Sequence, residues 1–426
     1  MPEGRVRWGM ALLLGLGVVI SYFDRINMSV AALPLSQAYG LNGQQTGLLL
    51  SSYLWSYALM QIPVGALLDR FGVRRLLGGA TFLWALATLA TSAAPTLPTL
   101  ILARVLLGVA EAPAFPGAAK AVSLWFPRQE RGLATSAFDA AAKFSNVIGT
   151  PLVGAVVGWA GWRAGFWMTG LLTAAYGVLF WQRYRDPVDH PRLEASERAY
   201  IAAGGGQVEA RAALPALASI RYLLAQRPVW GLMLGFGAYG YSFYMLISWL
   251  PTYLAETFHM DVLKSGLYTA VPWGVATVTD VVVGGWLVDR LIAQGHDATR
   301  VRKTLLAAGM LLGLAVVGAA FTHDPRVAVA WIAVALGGLA FAAPVGWSLP
   351  GLIAPPELVG TLGSLMNLAN NAMGALSPIV TGWVYDKTGS FAMAFGVAGT
   401  ILLLGVISYW TLLGPIQMLR SPIQEP

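Results

Sequence analysis

Apolar residues in this chain run in long blocks separated by short polar segments. A helix needs about 20 predominantly apolar residues to cross ~30 Å of hydrocarbon, and it satisfies its own backbone hydrogen bonds while doing so. Twelve blocks reach that length, at 8–34, 43–68, 76–94, 97–124, 132–158, 162–184, 228–255, 263–291, 302–321, 326–351, 358–384 and 390–415. The pattern predicts an all-α membrane protein with twelve transmembrane helices. The amino-terminal block continues through Asp24 and Arg25 without a small-residue cleavage site, so it reads as a first spanning helix and not as a signal peptide.

A polar stretch from Arg185 to Arg227, containing Gly204-Gly205-Gly206, separates the sixth block from the seventh. It reads as a linker with a short surface helix near Ser196 to Ala203 and a flexible remainder. The expected organisation is therefore a six-helix bundle over 1–184, a cytoplasmic linker over 185–227 and a second six-helix bundle over 228–426.

Composition supports this picture. The chain is 57% hydrophobic and 11% charged, whereas soluble domains keep roughly a quarter of their residues charged, so its exterior must face lipid. The formal charge of +7 does not form a nucleic-acid stripe, because the 27 Lys and Arg sit mainly between apolar blocks. Arg25, Arg104 and Lys143 lie deep inside blocks, Arg163, Lys264, Arg326 and Lys387 lie in loops or at block ends on one side, and the rest lie in loops or towards block ends on the other. Positive loops stay cytoplasmic, which places both termini and the linker inside a cell's inner membrane. Cysteine is absent, which removes disulfides and thiol chemistry. The four histidines, His190, His259, His296 and His323, are scattered over loops, so no metal is expected. There is no phosphate-binding glycine loop with its lysine and no nucleophile-base pair, so neither ATP, another cofactor nor an enzymatic reaction is expected.

Internal repetition divides the chain again. GALLDRFGVRR (Gly65 to Arg75) ends the second block and GGWLVDRLIAQG (Gly284 to Gly295) ends the eighth. Each places an aspartate, Asp69 or Asp289, before an arginine, Arg70 or Arg290, at a predicted cytoplasmic exit. A weaker pair follows the fifth and eleventh blocks, GWAGWRAGF (Gly158 to Phe166) and GWVYDKTGSFAMAF (Gly382 to Phe395). Doubled six-helix units suggest alternating access around a site between halves.

Ionisable groups inside hydrocarbon are costly and need a reason. Asp24 and Arg25 lie halfway along the first block, and residues adjacent on a helix point about 100° apart, so each should address a different partner. Arg25 would hold a carboxylate through its planar fork, and Asp24 would take and release a proton; the plainer alternative is that both only pair with neighbouring helices. Arg104 and Glu111 are two turns apart on one face of the fourth block, where a carboxylate loses hydration and becomes a candidate proton site. Asp139 and Lys143, spaced i and i+4, are either an intrahelical salt bridge or the source of a second cation for substrate. Asp280 reads as a group that either tunes coupling or, more simply, faces a watery cytoplasmic cavity. The asparagines of GSLMNLANNAMG, Asn371 first and Asn367 second, donate and accept as hydroxyl recognition requires, though asparagine also joins helices. Tyr244 belongs to an aromatic run with Tyr239, Tyr241, Phe243 and Trp249 that suits a sugar-like ligand or plain packing. Pro251, Pro344 and Pro350 are expected to kink their helices.

GALLDRFGVRR, with Gly65, Asp69, Arg70, Gly72 and Arg74, resembles the loop signature of the major facilitator superfamily. SYFDRINMSVA (Ser21 to Ala31), ARVLLGVAEAPAFP (Ala103 to Pro116) and SWLPTYL (Ser248 to Leu254) resemble its anion:cation symporter family, over essentially the whole chain outside the linker. The resemblance to sugar-acid proton symporters implies that Arg25 binds a substrate carboxylate, that Asp24 and Glu111 handle protons, and that Tyr22 and Tyr57 contact substrate. The positions of Asp24, Arg25, Arg104 and Glu111 all match that family. Lys143 departs from it. The implied protein is a monomer that takes up a small organic anion with protons, without cofactor or nucleic acid. Aromatic or dicarboxylic acids are the alternative cargo, and a ligand sensor is the alternative class.

Overall fold

The computed structural model describes residues 5–127, 130–206, 216–355 and 358–420, apart from the side chains at 62, 66, 69, 131–133, 135–140, 216 and 289. Regular structure among the described residues is entirely helical. The first half contains α1 (Val6–Tyr39), α2 (43–71), α3 (73–93), α4 (Leu97–Trp125), α5 (131–160) and α6 (162–183). Two short helices follow, α7 (Ala195–Ala203) and α8 (Ala216–Leu224). The second half contains α9 (Arg227–Phe258), α10 (Val262–Ala293), α11 (Ala298–Phe321), α12 (Pro325–Ile353), α13 (Val359–Thr388) and α14 (Ala392–Thr411). These are the twelve expected long helices, each overlapping its apolar block.

The repeated segments share a backbone device. α2 passes into α3 at Gly72 (φ 73°, ψ 165°), and α5 passes into α6 at Gly161 (φ 80°, ψ 167°). Gly295 (φ 89°) follows α10 and Gly389 (φ 66°) follows α13. Each of the four repeated segments thus supplies a glycine at positive φ, where a Cβ would clash with the following carbonyl, and turns the chain within a few residues.

Hydropathy alone ranks the helices unevenly, and packing explains why. Among the described residues eight stretches are long and apolar enough to cross a membrane, and α9 and α13 are not among them. α9 carries Gly231, Gly235, Gly237 and Gly240 with several tyrosines, and it is buried along almost its whole length against α13. A helix shielded from lipid by its neighbours has no need of an apolar surface, and its glycines let backbones approach closely. A Cβ at Gly374 of α13, for example, would run into the Tyr244 ring. α9 and α12 each continue as one helix across Pro251, Pro344 and Pro350. α10 widens to a π-helix over Asp280–Leu287, and α11 tightens to a 3-10 helix over Leu314–Phe321.

The chain divides into two compact units, Met1–Gly40 with Ser52–Glu209, and Leu41–Ser51 with Ala210–Pro426. In the first unit α1 packs mainly on the α5–α6 segment. Beyond the expected α7, residues 216–224 form α8, whose Leu223 is fully buried; the rest of the remainder expected to be flexible, 207–215, lies outside the described residues.

α7 is fastened to the start of α1. The fully buried Glu197 carboxylate accepts the Val6 and Arg7 backbone N–H groups (3.2 and 3.3 Å) and Arg7 Nη1 (2.8 Å). These are helix-start donors that have no partner within α1. Arg7 Nε reaches Glu130 (2.9 Å), and the Tyr200 hydroxyl donates to the same carboxylate (2.8 Å). Burial pushes the Glu130 carboxyl up, but the bonds from Arg7 and Tyr200 outweigh it and hold the group below its ordinary value. A depressed carboxyl stabilises the fold above its unfolded pKa, and that contribution is lost as pH falls through the lower folded value. Glu130→Gln should therefore speed amide hydrogen exchange across α7 by roughly fivefold to tenfold at neutral pH. Unchanged protection of 195–203 in that variant would remove Glu130 from the fastening.

Candidate functional site

In the first unit α1, α2, α3 and α4 bring a cluster of charged and aromatic groups together. The approach of α2 to α4 is close because residue 108 is glycine; a Cβ there would collide with Ser56 Oγ and the Tyr53 carbonyl. That contact sets Tyr53 beside Arg104 and Glu111. Glu111 is 1% exposed, and its Oε1 accepts from Arg25 Nη2 (3.1 Å), from the Tyr53 hydroxyl (2.7 Å) and from the Ser21 hydroxyl. Arg25 Nη2 also donates to the Tyr53 hydroxyl (2.8 Å). The Arg25 guanidinium lies over the rings of Tyr22 (4.8 Å), Tyr53 (5.2 Å) and Tyr57 (5.5 Å), an aromatic cradle that favours a cation with little water. Tyr53 and Tyr57 stack with centroids 5.4 Å apart.

Asp24 and Arg25 turn to different partners. Asp24 is 1% exposed, and its Oδ2 accepts from the Trp84 indole of α3. By geometry, among the described residues its Oδ1 has no hydrogen-bond partner, and neither do Glu111 Oε2 nor Arg104 Nε and Nη1. Arg104 is buried beneath the Tyr53 ring (5.2 Å). Glu111 pairs with Arg25 of another helix and not with Arg104 of its own. Buried polar atoms almost always find partners, so four orphaned atoms on three ionisable residues mark a place built for more than packing. Lys143 of α5 is also buried, while the Asp139 side chain one turn before it lies outside the described residues.

In the second unit, the Tyr244 hydroxyl of α9 donates to Asn371 Oδ1 of α13 (3.2 Å), and Asn371 Nδ2 donates to Asn367 Oδ1 (3.1 Å). Asn370 is buried, and among the described residues its Oδ1 has no partner. In the aromatic run, Tyr239 and Phe243 stack (5.5 Å), and the Trp249 indole is committed to the Pro378 carbonyl (3.2 Å).

The loop signature is anchored at its ends. Arg74 lies over the Trp181 ring (5.3 Å) and donates to the Trp181 carbonyl near the end of α6 (3.3 Å). Arg70 lies over Phe71 (5.3 Å) and Arg290 over Trp286 (4.9 Å), while Gly65 is exposed. The side chains of Asp69 and Asp289 lie outside the described residues. Asp280 is 6% exposed and opens the π-helical stretch of α10, which packs on α12.

Three members of the cluster escape sequence reading: Tyr53, Ser21 and Trp84. Tyr53 precedes Tyr57 by four residues and Ser21 precedes Arg25 by four, so one helical turn from a named residue would have indicated both. Trp84 carries no such signal, since its role depends on how α3 rotates against α1.

The model of the Major Facilitator Superfamily matches residues 14–295. The chain is 41% identical over 418 residues to the "Uncharacterized transporter YybO" of Bacillus subtilis (strain 168), covering 98% of this chain and 96% of that protein. It is 32% identical to the "Probable L-galactonate transporter" of Escherichia coli (strain K12), covering 99% and 91%. Its fold is similar to the crystal structure of a bacterial homolog of the human lysosomal transporter Spinster in an inward-facing, occupied conformation (TM-score 0.77, 19% identity, 96% and 97% covered). By helix order, repeated turns and full-length similarity, the chain belongs to the Major Facilitator Superfamily, as a multi-pass membrane transporter and not an enzyme.

Proposed function

We propose that this transporter takes up a small organic anion, of the sugar-acid type, together with protons, exposing one site alternately to the two sides of the membrane. The observation that carries the reading is the buried Arg25–Glu111 pair (3.1 Å) beside orphaned carboxylate and guanidinium atoms of Asp24, Glu111 and Arg104. An incoming carboxylate competes with Glu111 for Arg25. A second anion beside Glu111 in so dry a place is costly unless positive charge accompanies it, and a co-transported proton supplies that charge. Asp24, held by Trp84 through one oxygen, supplies the second titrating group. Tyr22, Tyr53 and Tyr57 frame the guanidinium, and Tyr244 with Asn371 and Asn367 offers alternating donors and acceptors for hydroxyls.

Similarity to a protein named for L-galactonate supports a polyhydroxylated acid as cargo. The excess of Lys and Arg on one side of the spans supports cytoplasmic termini in an inner membrane, with 1–184 and 228–426 as the moving bundles of a monomer. A second reading, a dicarboxylic or aromatic acid, draws on the buried Lys143, which adds a cation to the same unit.

A panel of organic acids on the purified protein tests both. A ligand that binds only the folded state at 100 times its Kd stabilises it by about 2.7 kcal/mol, enough to raise the melting temperature measurably. Aldonates and hexuronates should give the largest shifts and should exchange label in proteoliposome counterflow. Shifts confined to aromatic or dicarboxylic acids transfer the assignment to the second reading, and binding without counterflow ends the carrier reading.

A further inference from the structure

Away from the charged cluster, a cleft of about 540 Å³ opens between the first turns of α1 and the last turn of α6, with the chain that follows α6 forming its floor. Its lining mixes two chemistries: Leu13, Leu16 and Leu179 are apolar, Arg183, Arg192 and His190 are basic, and among the described residues no acidic side chain lines it. The neighbouring Leu12 is 78% exposed and Leu16 is 41% exposed, so the apolar lining is continuous with the surface that faces hydrocarbon.

The basic lining is not consumed by the protein itself. Arg185 is committed, donating through Nη1 to the Trp181 and Tyr184 carbonyls (2.9 and 2.7 Å) and so closing the end of α6. Among the described residues neither Arg183 nor Arg192 takes part in an ion pair. His190 is fixed between them and the core, with its ring edge-on to Trp125 (5.2 Å) and Nδ1 accepting the Arg192 backbone N–H (3.3 Å). Burial, and then the charges of Arg192 and Arg185, push the His190 imidazole below its ordinary value. The same positive potential that discourages a further cation attracts an anion.

We propose that this cleft binds an anionic diacyl phospholipid, with its phosphodiester between Arg183 and Arg192 and an acyl chain along Leu12, Leu16 and Leu179. A free phosphate shares the headgroup chemistry but gains nothing from the apolar lining. Basic pockets between helices at the positively charged face of a membrane protein are where anionic headgroups collect. A lipid there bridges α1, α6 and the start of the linker, next to the Arg7–Glu197 fastening.

The test is native mass spectrometry of the full-length protein in detergent, titrated separately with phosphatidylglycerol, with phosphatidylcholine of the same acyl chains, and with inorganic phosphate. Phosphatidylglycerol should be retained about tenfold better than phosphatidylcholine, and Arg183→Gln with Arg192→Gln should erase that preference. The paired Lys replacements, which keep both charges, should restore most of it, and Arg300→Gln on the exposed start of α11 should leave it unchanged. Equal retention of the two lipids, undiminished retention in the folded double Gln variant, or displacement of phosphatidylglycerol by millimolar phosphate each overturns the proposal.

Discussion

Arg25→Ala should abolish substrate binding and uptake while leaving a folded protein. The substitution removes the only cation bonded to Glu111 among the described residues and empties the cradle of Tyr22, Tyr53 and Tyr57. Truncating one partner of a buried, hydrogen-bonded charge pair costs about 2–5 kcal/mol, which corresponds to a roughly 30- to 4000-fold loss of affinity. Arg25→Lys should recover only a small part. An ammonium is a point charge that cannot present a planar fork to a carboxylate while remaining bonded to Tyr53. Thermal shift with the best ligand from the acid panel, together with labelled uptake, measures both variants. An alanine variant that melts normally and still binds within threefold of the parent protein would leave Arg25 as a structural ion-pair partner and nothing more.

Glu111→Gln and Asp24→Asn should separate carriage from coupling. Each amide keeps the shape of its carboxyl group but neither gains nor loses a proton, so the loaded site can still reorient while a pH gradient no longer drives it. Concentrative uptake under an inward proton gradient should fall by at least about tenfold, and counterflow at equal pH should stay within about threefold. The two variants differ in one respect. Gln at 111 leaves Arg25 facing a neutral amide, so substrate meets less competition and affinity at high pH should rise. Asn at 24 leaves the Arg25–Glu111 pair in place, so affinity should hardly change. Gradient-driven uptake undiminished in both variants would exclude these carboxyl groups from the proton path and leave the anion site without its partner reaction.

The sequence made the buried charged residues plain but not their wiring. Asp24, Arg25, Arg104 and Glu111 stand out because charge in an apolar block is expensive. That Glu111 reaches Arg25, 86 residues away, and not Arg104 two turns earlier on its own helix depends on the rotation of α1 against α4. Tyr53 joins them because Gly108 admits α2 so closely, and no single-position feature announces that. The unexpected α8 has the same origin, since Leu223 finds a buried face that its local sequence does not reveal.

The long apolar helices and the repeated segments were legible in the sequence alone, because bilayer thickness and burial cost act on residues in order along the chain. The tertiary structure alone decided which carboxylate meets which guanidinium, why α9 and α13 tolerate glycine and polar residues, and that Asp280 is buried. Those outcomes depend on helix rotation and on the distance between backbones, which are set by all the neighbours at once and by no segment singly.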